Sequence, residues 1–165
     1  ATSMGVKVSK PFIQTQYFPL NFEKYIIVNS GGRASGKLYP LYSDVIRLLT
    51  PILSQHGISV IQVGSPEDIQ ILNTLDLRGK TNLHQSAFLI ENCELLLSND
   101  TACMHIASGF NKKLVALFGT TQPENHGAYF GNKENQINLV SHRIGNKPSF
   151  SSDESPRMIC SSRFS

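Results

Sequence analysis

Two short apolar runs, Leu95-Leu-Leu97 and Leu114-Val-Ala-Leu-Phe118, each lead straight into a polar loop. The first continues through Ser98-Asn-Asp-Thr-Ala-Cys-Met-His105, the second through Gly119-Thr-Thr-Gln-Pro123. Runs this short and this uniformly apolar fit strands buried on both faces, not strands with one wet face. Strands of that kind belong to parallel sheets covered by helices. In an open sheet of this class, the loops beyond the carboxyl ends of the strands form the binding crevice. Here those loops carry Asp100, Thr101, His105, Gly119, Thr120 and Thr121, so a ligand is expected there, and a phosphorylated one.

The rest of the chain alternates in the same way. Tyr25-Ile-Ile-Val-Asn29 is a β-branched run closed by Ser30-Gly31-Gly32, and Ile58-Ser-Val-Ile-Gln-Val63 is closed by Gly64-Ser-Pro66. Between them Tyr42, Val45, Ile46, Leu48, Leu49, Ile52 and Leu53 recur at helical spacing, with Pro51 expected to kink or split the helix. Ser65 is expected to cap a helix running through Pro66, Glu67 and Asp68, whose acids suit its positive end. A short strand is expected over 75–78, a helix over 84–91, another near 101–109, a loop from Pro123 to Tyr129, and a last strand over 137–140. The fold expected is α/β, a Rossmann-like parallel sheet with helices on both faces. Residues 1–24, with Pro11 and Pro19 and no clean period, read as a linker or irregular lead-in. Residues 25–144 read as the folded domain, and the Ser/Pro/Asn-rich 145–165 as an irregular tail cut before a further element.

Composition narrows the function classes. A 165-residue chain, 40% apolar and 16% charged, is long enough for one domain with its own core. The net charge of +3 comes without any Lys/Arg run, which argues against a nucleic-acid partner. No apolar stretch is long enough for a membrane span, and Ala1 to Lys10 has no signal-peptide core. Cys93, Cys103 and Cys160 are odd in number and lack CxxC spacing, which excludes a common zinc pattern and a disulfide framework. They suit a reducing cytosol, and a peripheral position at the inner surface of a membrane is compatible with them.

Several residues are candidates for chemistry. Asp100-Thr101 sits at a strand-to-helix junction, where free N–H groups and the helix dipole bind phosphate; the plainer role of Asp100 is a helix cap. His105 lies one turn on, on the same helix face as Thr101. Gly31-Gly-Arg-Ala-Ser-Gly-Lys37 is a glycine-rich loop that lacks both the GK[ST] and the GxGxxG spacing. Its lysine is the cation a diphosphate needs. Glu67 and Asp68 occupy the place after the second strand where, in dinucleotide-binding sheets, an acid takes ribose hydroxyls. Thr120 and Thr121, after Gly119, are turn residues able to donate to phosphate or sugar oxygens. There is no nucleophile elbow, no HExxH and no Cys/His cluster.

Taken in order, these segments resemble glycosyltransferase family 9, the ADP-heptose:lipopolysaccharide heptosyltransferases. Ser98-Asn-Asp-Thr-Ala-Cys-Met-His-Ile-Ala107 is similar to the family's N-D-S-G-P-M-H-x-A. Leu114 to Pro123 is similar to its P-V-x-A-L-F-G-x-T-x-P. Gly36-Lys-Leu-Tyr-Pro40 resembles A-K-x-W-P, Val63-Gly-Ser-Pro-Glu67 resembles the G-x-x-x-E loop, and Leu77 to Leu83 resembles L-x-G-x-T-x-L. The tail Pro156 to Phe164 resembles the segment before the family's final helix. The departures are Ala102-Cys103 for Gly-Pro and Asn111-Lys-Lys113 for G-x-P.

The resemblance implies the C-terminal, donor-binding half of a two-domain GT-B enzyme. It implies a nucleotide-diphosphate sugar, such as an ADP-sugar, as donor and a lipopolysaccharide or other lipid-linked glycan as acceptor. The acceptor site and the general base would lie on an N-terminal domain outside this chain. Lys37 and Asp100 would be the catalytic residues of this half, Lys37 at the diphosphate and Asp100 on sugar hydroxyls. Glu67 or Asp68 would hold the nucleoside. Thr101 and Ala102 would offer backbone N–H groups to phosphate, with His105, Gly31, Gly119 and Thr121 completing the pocket. Neither a metal nor a cofactor is implied, and transfer would invert the sugar. The alternatives are a non-catalytic nucleotide- or sugar-binding module and a GT-B-like nucleotide-sugar epimerase.

Overall fold

The computed structural model describes residues 9–32 and 37–141. Six parallel strands form one sheet in the order β3-β2-β1-β4-β5-β6. They are β1 (Tyr25–Asn29), β2 (Ser59–Gln62), β3 (Leu75–Asp76), β4 (Leu95–Asn99), β5 (Leu114–Phe118) and β6 (Gln136–Val140). The helices are α1 (Tyr42–Gln55), α2 (Leu83–Asn92), α3 (Ala102–Gly109) and the single turn α4 (Pro123–His126). The strand order reverses between β1 and β4, which places the crevice of such a sheet beside the ends of those two strands.

Both faces of the central strands are covered, as expected of short, near-continuous apolar runs. On one face α1 packs Tyr42 and Ile46 onto Val28, Leu97 and Leu117. On the other, α2 and α3 bring Leu89, Ile90, Met104 and Ala107 onto Ile27, Ile61, Leu96, Ala116 and Phe118. The α1 layer stops short of the sheet edge, leaving Ile137 and Leu139 of β6 exposed. Among the described residues no helix is long and apolar enough to cross a membrane.

Three local expectations are corrected. Helix α1 runs unbroken through Pro51. The carbonyl that Pro51 leaves without its usual donor belongs to Arg47, an exposed residue that water can serve. No helix follows Ser65. Instead Asp68 Oδ2 accepts the Ser65 N–H at 2.9 Å, while the Ser65 hydroxyl turns to Glu67. Buried Gln62 then serves the crossover backbone, donating to Ile69 O at 2.7 Å and accepting from the Ile71 N–H at 2.8 Å. Those bonds satisfy groups that a helix would otherwise pair. The stretch after Pro123 opens as the short helix α4 before it becomes irregular.

Within 9–24 the backbone is irregular but docked. Gln16 N–H donates to His84 O at 3.0 Å, Tyr17 packs edge-on against Phe88, and Phe18 and Leu20 rest on the core. The expected tail at 145–165, including the Pro156 to Phe164 resemblance, lies outside the described residues, as does Gly36.

One ion pair closes the β3 edge. Arg78 donates to Asp76 through Nε at 2.9 Å and Nη2 at 2.8 Å, and also reaches the Asp68 carbonyl. The Arg78 hydrogen bonds hold the Asp76 carboxyl down to about 2. A depressed acid adds stability that is present above its unfolded value near 4 and is lost as pH falls toward 2. Asp76→Asn is therefore expected to flatten the fall in urea midpoint between about pH 4 and pH 2. An unchanged slope would remove the pair from the acid response.

Candidate functional site

Two amides close the strands that flank the switch point. Asn29, the last residue of β1, donates to Val63 O at 2.9 Å and accepts from Thr101 Oγ1 at 3.0 Å. Asn99, the last residue of β4, donates to Ser30 O at 3.0 Å and Gly31 O at 3.1 Å, and accepts from Tyr42 Oη at 2.7 Å. Both amides are buried, so water cannot substitute for these partners. They bind the ends of β1, β2 and β4 and the start of α1 into one rim. Neither amide nor Tyr42 was singled out as functional in the sequence. The available signal was an asparagine ending an otherwise apolar run, twice.

Beyond Asn99 the chain presents Asp100, and three separately chosen residues meet on it. Lys37 Nζ lies 2.6 Å from Asp100 Oδ2, and Thr121 Oγ1 donates to the same oxygen at 2.8 Å. Lys37 follows β1 and Thr121 follows β5, so the cluster joins three loops. Burial is the largest influence on the Asp100 carboxyl and pulls it upward. The hydrogen bonds from Lys37 and Thr121, with the charges of Lys37 and His126, outweigh burial and leave the group below the usual carboxylate value. His126, on α4, was not among the candidates. His105 is exposed on α3, away from the hydrogen bonds that hold Asp100.

Thr101 is the N-cap of α3, in extended conformation, but its side chain does not cap the helix. The hydroxyl is spent on Asn29, at 3.0 Å, and lies 3.0 Å from Ser98 Oγ. The Met104 N–H turns back to the Thr101 carbonyl at 3.2 Å, so the first-turn N–H groups before it, beginning with exposed Ala102, are those left for another acceptor. Half-buried Cys103 follows. Desolvation pushes its thiol up to about 12, which disfavours the reactive thiolate.

The opposite wall comes from the loop after β2. Half-buried Asp68 leans over Gly31, where an added Cβ would stand 2.8 Å from its Oδ2. Glu67, the alternative acid, is exposed and engaged by Ser65. Gly119 and Thr120 are half-buried in the loop after β5, and Thr121 is 6% exposed. The assembled rim offers a cation, helix N–H donors, a buried carboxylate and a second acid. That set matches an anionic group flanked by hydroxyls on two sides. Among the described residues no group of three or more His, Cys, Asp or Glu is placed to hold a metal ion.

Comparison with known proteins bears on the family and the fold. The model of glycosyltransferase family 9 (heptosyltransferase) matches residues 2–158. Lipooligosaccharide heptosyltransferase 2 of Haemophilus influenzae is 41% identical over 64 residues, covering 39% of this chain and 18% of that protein. Lipopolysaccharide heptosyltransferase 2 of Salmonella typhimurium is 30% identical over 122 residues, covering 65% of this chain and 34% of that protein. The chain thus spans at most about a third of these curated relatives. Among solved structures, a family 9 glycosyltransferase of Veillonella parvula superposes with a TM-score of 0.62 at 22% identity, covering 75% of this chain and 37% of that one. The E. coli heptosyltransferase WaaC with ADP superposes with a TM-score of 0.61 at 20% identity, covering 85% and 48%. These superpositions establish the Rossmann-like fold, and the family match over nearly the whole length establishes more: the chain belongs to glycosyltransferase family 9, the heptosyltransferases.

Proposed function

We propose that this chain forms the donor-binding part of a glycosyltransferase. Its reaction moves a heptose-like glycosyl group from a nucleotide-diphosphate sugar to a lipopolysaccharide or related glycan. One observation carries the reading: Lys37, Asp100 and Thr121, from three loops, meet at the switch point beside the open amino end of α3. Lys37 and the α3 N–H groups are assigned to the diphosphate, whose negative charge grows as the sugar leaves. Asp100 is assigned to sugar hydroxyls and Asp68 to the nucleoside. Asp68 is preferred to Glu67 because it faces the crevice.

Metal-independent, inverting transfer follows if a carboxylate base on an acceptor-binding domain, outside this chain, deprotonates the acceptor. The reaction belongs at the inner face of a membrane on the cytoplasmic side. ADP is the first nucleotide to try, because solved relatives are described with ADP and with ADP-D-β-D-heptose.

A melting scan with ADP, GDP, UDP and ADP-heptose tests the reading. A ligand that binds only the native state at a hundred times its Kd adds about 2.7 kcal/mol and raises the melting point. ADP-heptose is expected to give the largest rise. A folded chain whose melting point ignores all four at millimolar concentration would end the donor-site reading.

A further inference from the structure

The cation that a diphosphate needs is already engaged. Lys37 Nζ and Thr121 Oγ1 both lie on one oxygen of Asp100, at 2.6 Å and 2.8 Å. The Asp100 side chain is 8% exposed and that of Lys37 27%, so water replaces little of what either would lose on separation. From this geometry we infer that the Lys37–Asp100 pair is a specificity latch, one that favours a nucleotide sugar over the bare nucleoside diphosphate. The inference rests on the donor-site reading above.

The selectivity follows from counting donors. A bare diphosphate at the amino end of α3 attracts Lys37. Moving the ammonium there leaves the largely buried Asp100 carboxylate with Thr121 alone, and a buried charge that loses its partner is strongly destabilised. If Lys37 stays on Asp100, the diphosphate keeps only backbone donors. A nucleotide sugar changes the count, because one of its hydroxyls can donate to Asp100 in place of the ammonium. Lys37 then moves to the phosphate while Asp100 keeps two hydrogen bonds, from Thr121 and from the sugar hydroxyl. The charge of His126 also acts on Asp100 but is the same for both ligands. Once the sugar has been transferred, the hydroxyl is gone and the pair re-forms. The fold thereby weakens its hold on the spent nucleotide.

Titration calorimetry with ADP and ADP-heptose decides the matter. Asp100→Asn keeps the side chain's shape but releases Lys37. It is expected to tighten ADP about tenfold and to weaken ADP-heptose about tenfold. In a Lys37→Met background the same substitution should leave ADP binding unchanged. Thr121→Val should weaken ADP, because Asp100 then depends on Lys37 alone. Circular dichroism melts confirm that each variant is folded. Asp100→Asn leaving ADP unchanged or weaker would overturn the latch. So would a gain in ADP binding that persists without Lys37, since that is plain charge repulsion. Absence of any binding to the native chain would instead overturn the donor-site reading, so the two failures are distinguishable.

Discussion

Replacing Asn99 by alanine is expected to lower the unfolding free energy by about 3–5 kcal/mol, close to the stability of a marginal domain. The side chain is fully buried and makes three hydrogen bonds, two to the carbonyls of Ser30 and Gly31 and one from the Tyr42 hydroxyl. Alanine leaves two carbonyls and a hydroxyl unpaired in a place water does not reach, and each such group costs about 1–3 kcal/mol. The cavity adds a further, smaller loss. Tyr42→Phe removes one of the three bonds and should cost about 1–2 kcal/mol. Urea denaturation of both variants checks the ratio. A loss for Asn99→Ala no larger than that for Tyr42→Phe would show that the two carbonyls are not held by this amide.

Gly64→Ala is expected to cost about 3 kcal/mol, combining backbone strain with an overpacked contact. Gly64 has φ +149°, and a Cβ built on it would overlap Asp68 Oδ2 and stand 3.2 Å from Asn29 Nδ2. The Asp68 carboxylate must swing away and give up the Ser65 N–H, so the crevice loses the acid assigned to the nucleoside. Gly57 is the natural control, with φ +65° and open space around its absent Cβ. Gly57→Ala should cost only the backbone part, about 1 kcal/mol. If both alanines cost the same, crowding by Asp68 contributes nothing. Calorimetry on the Gly64 variant should show weaker ADP binding, whereas the Gly57 variant should bind as the parent does.

The sheet was legible because its evidence is local. Runs such as Tyr25-Ile-Ile-Val and Leu114 to Phe118 declare themselves within five residues, and the gaps between them allow little but parallel crossovers. The link between β2 and β3 was not legible, because Gln62 and Asp68 hold it through side chains where a helix would use backbone. A proline inside α1 likewise looked worse than it is, since exposure of the neighbouring carbonyl cannot be seen in sequence. At the candidate site, Lys37, Asp100 and Thr121 each stood out alone by chemistry and loop position. Their convergence on one oxygen spans sequence separations of 63 and 21 residues, which no local pattern encodes. His126 and the two asparagines were missed for the same reason. An asparagine at a strand end resembles ordinary loop polarity until its distant partners are known.

The four successive residues Ser98 to Thr101 are all tied into the fold, Ser98 and Thr101 sharing the Asn29 amide oxygen. Ser98 meets the Thr101 hydroxyl, Asn99 the loop after β1 and the start of α1, Asp100 the Lys37 and Thr121 loops, and Thr101 the amide of Asn29. A string of letters so fully occupied by architecture would have to persist even in a chain that had stopped turning over substrate. Its presence certifies that the joint is assembled, as a keystone certifies an arch. For this chain, then, the tetrapeptide is a sign of sound construction.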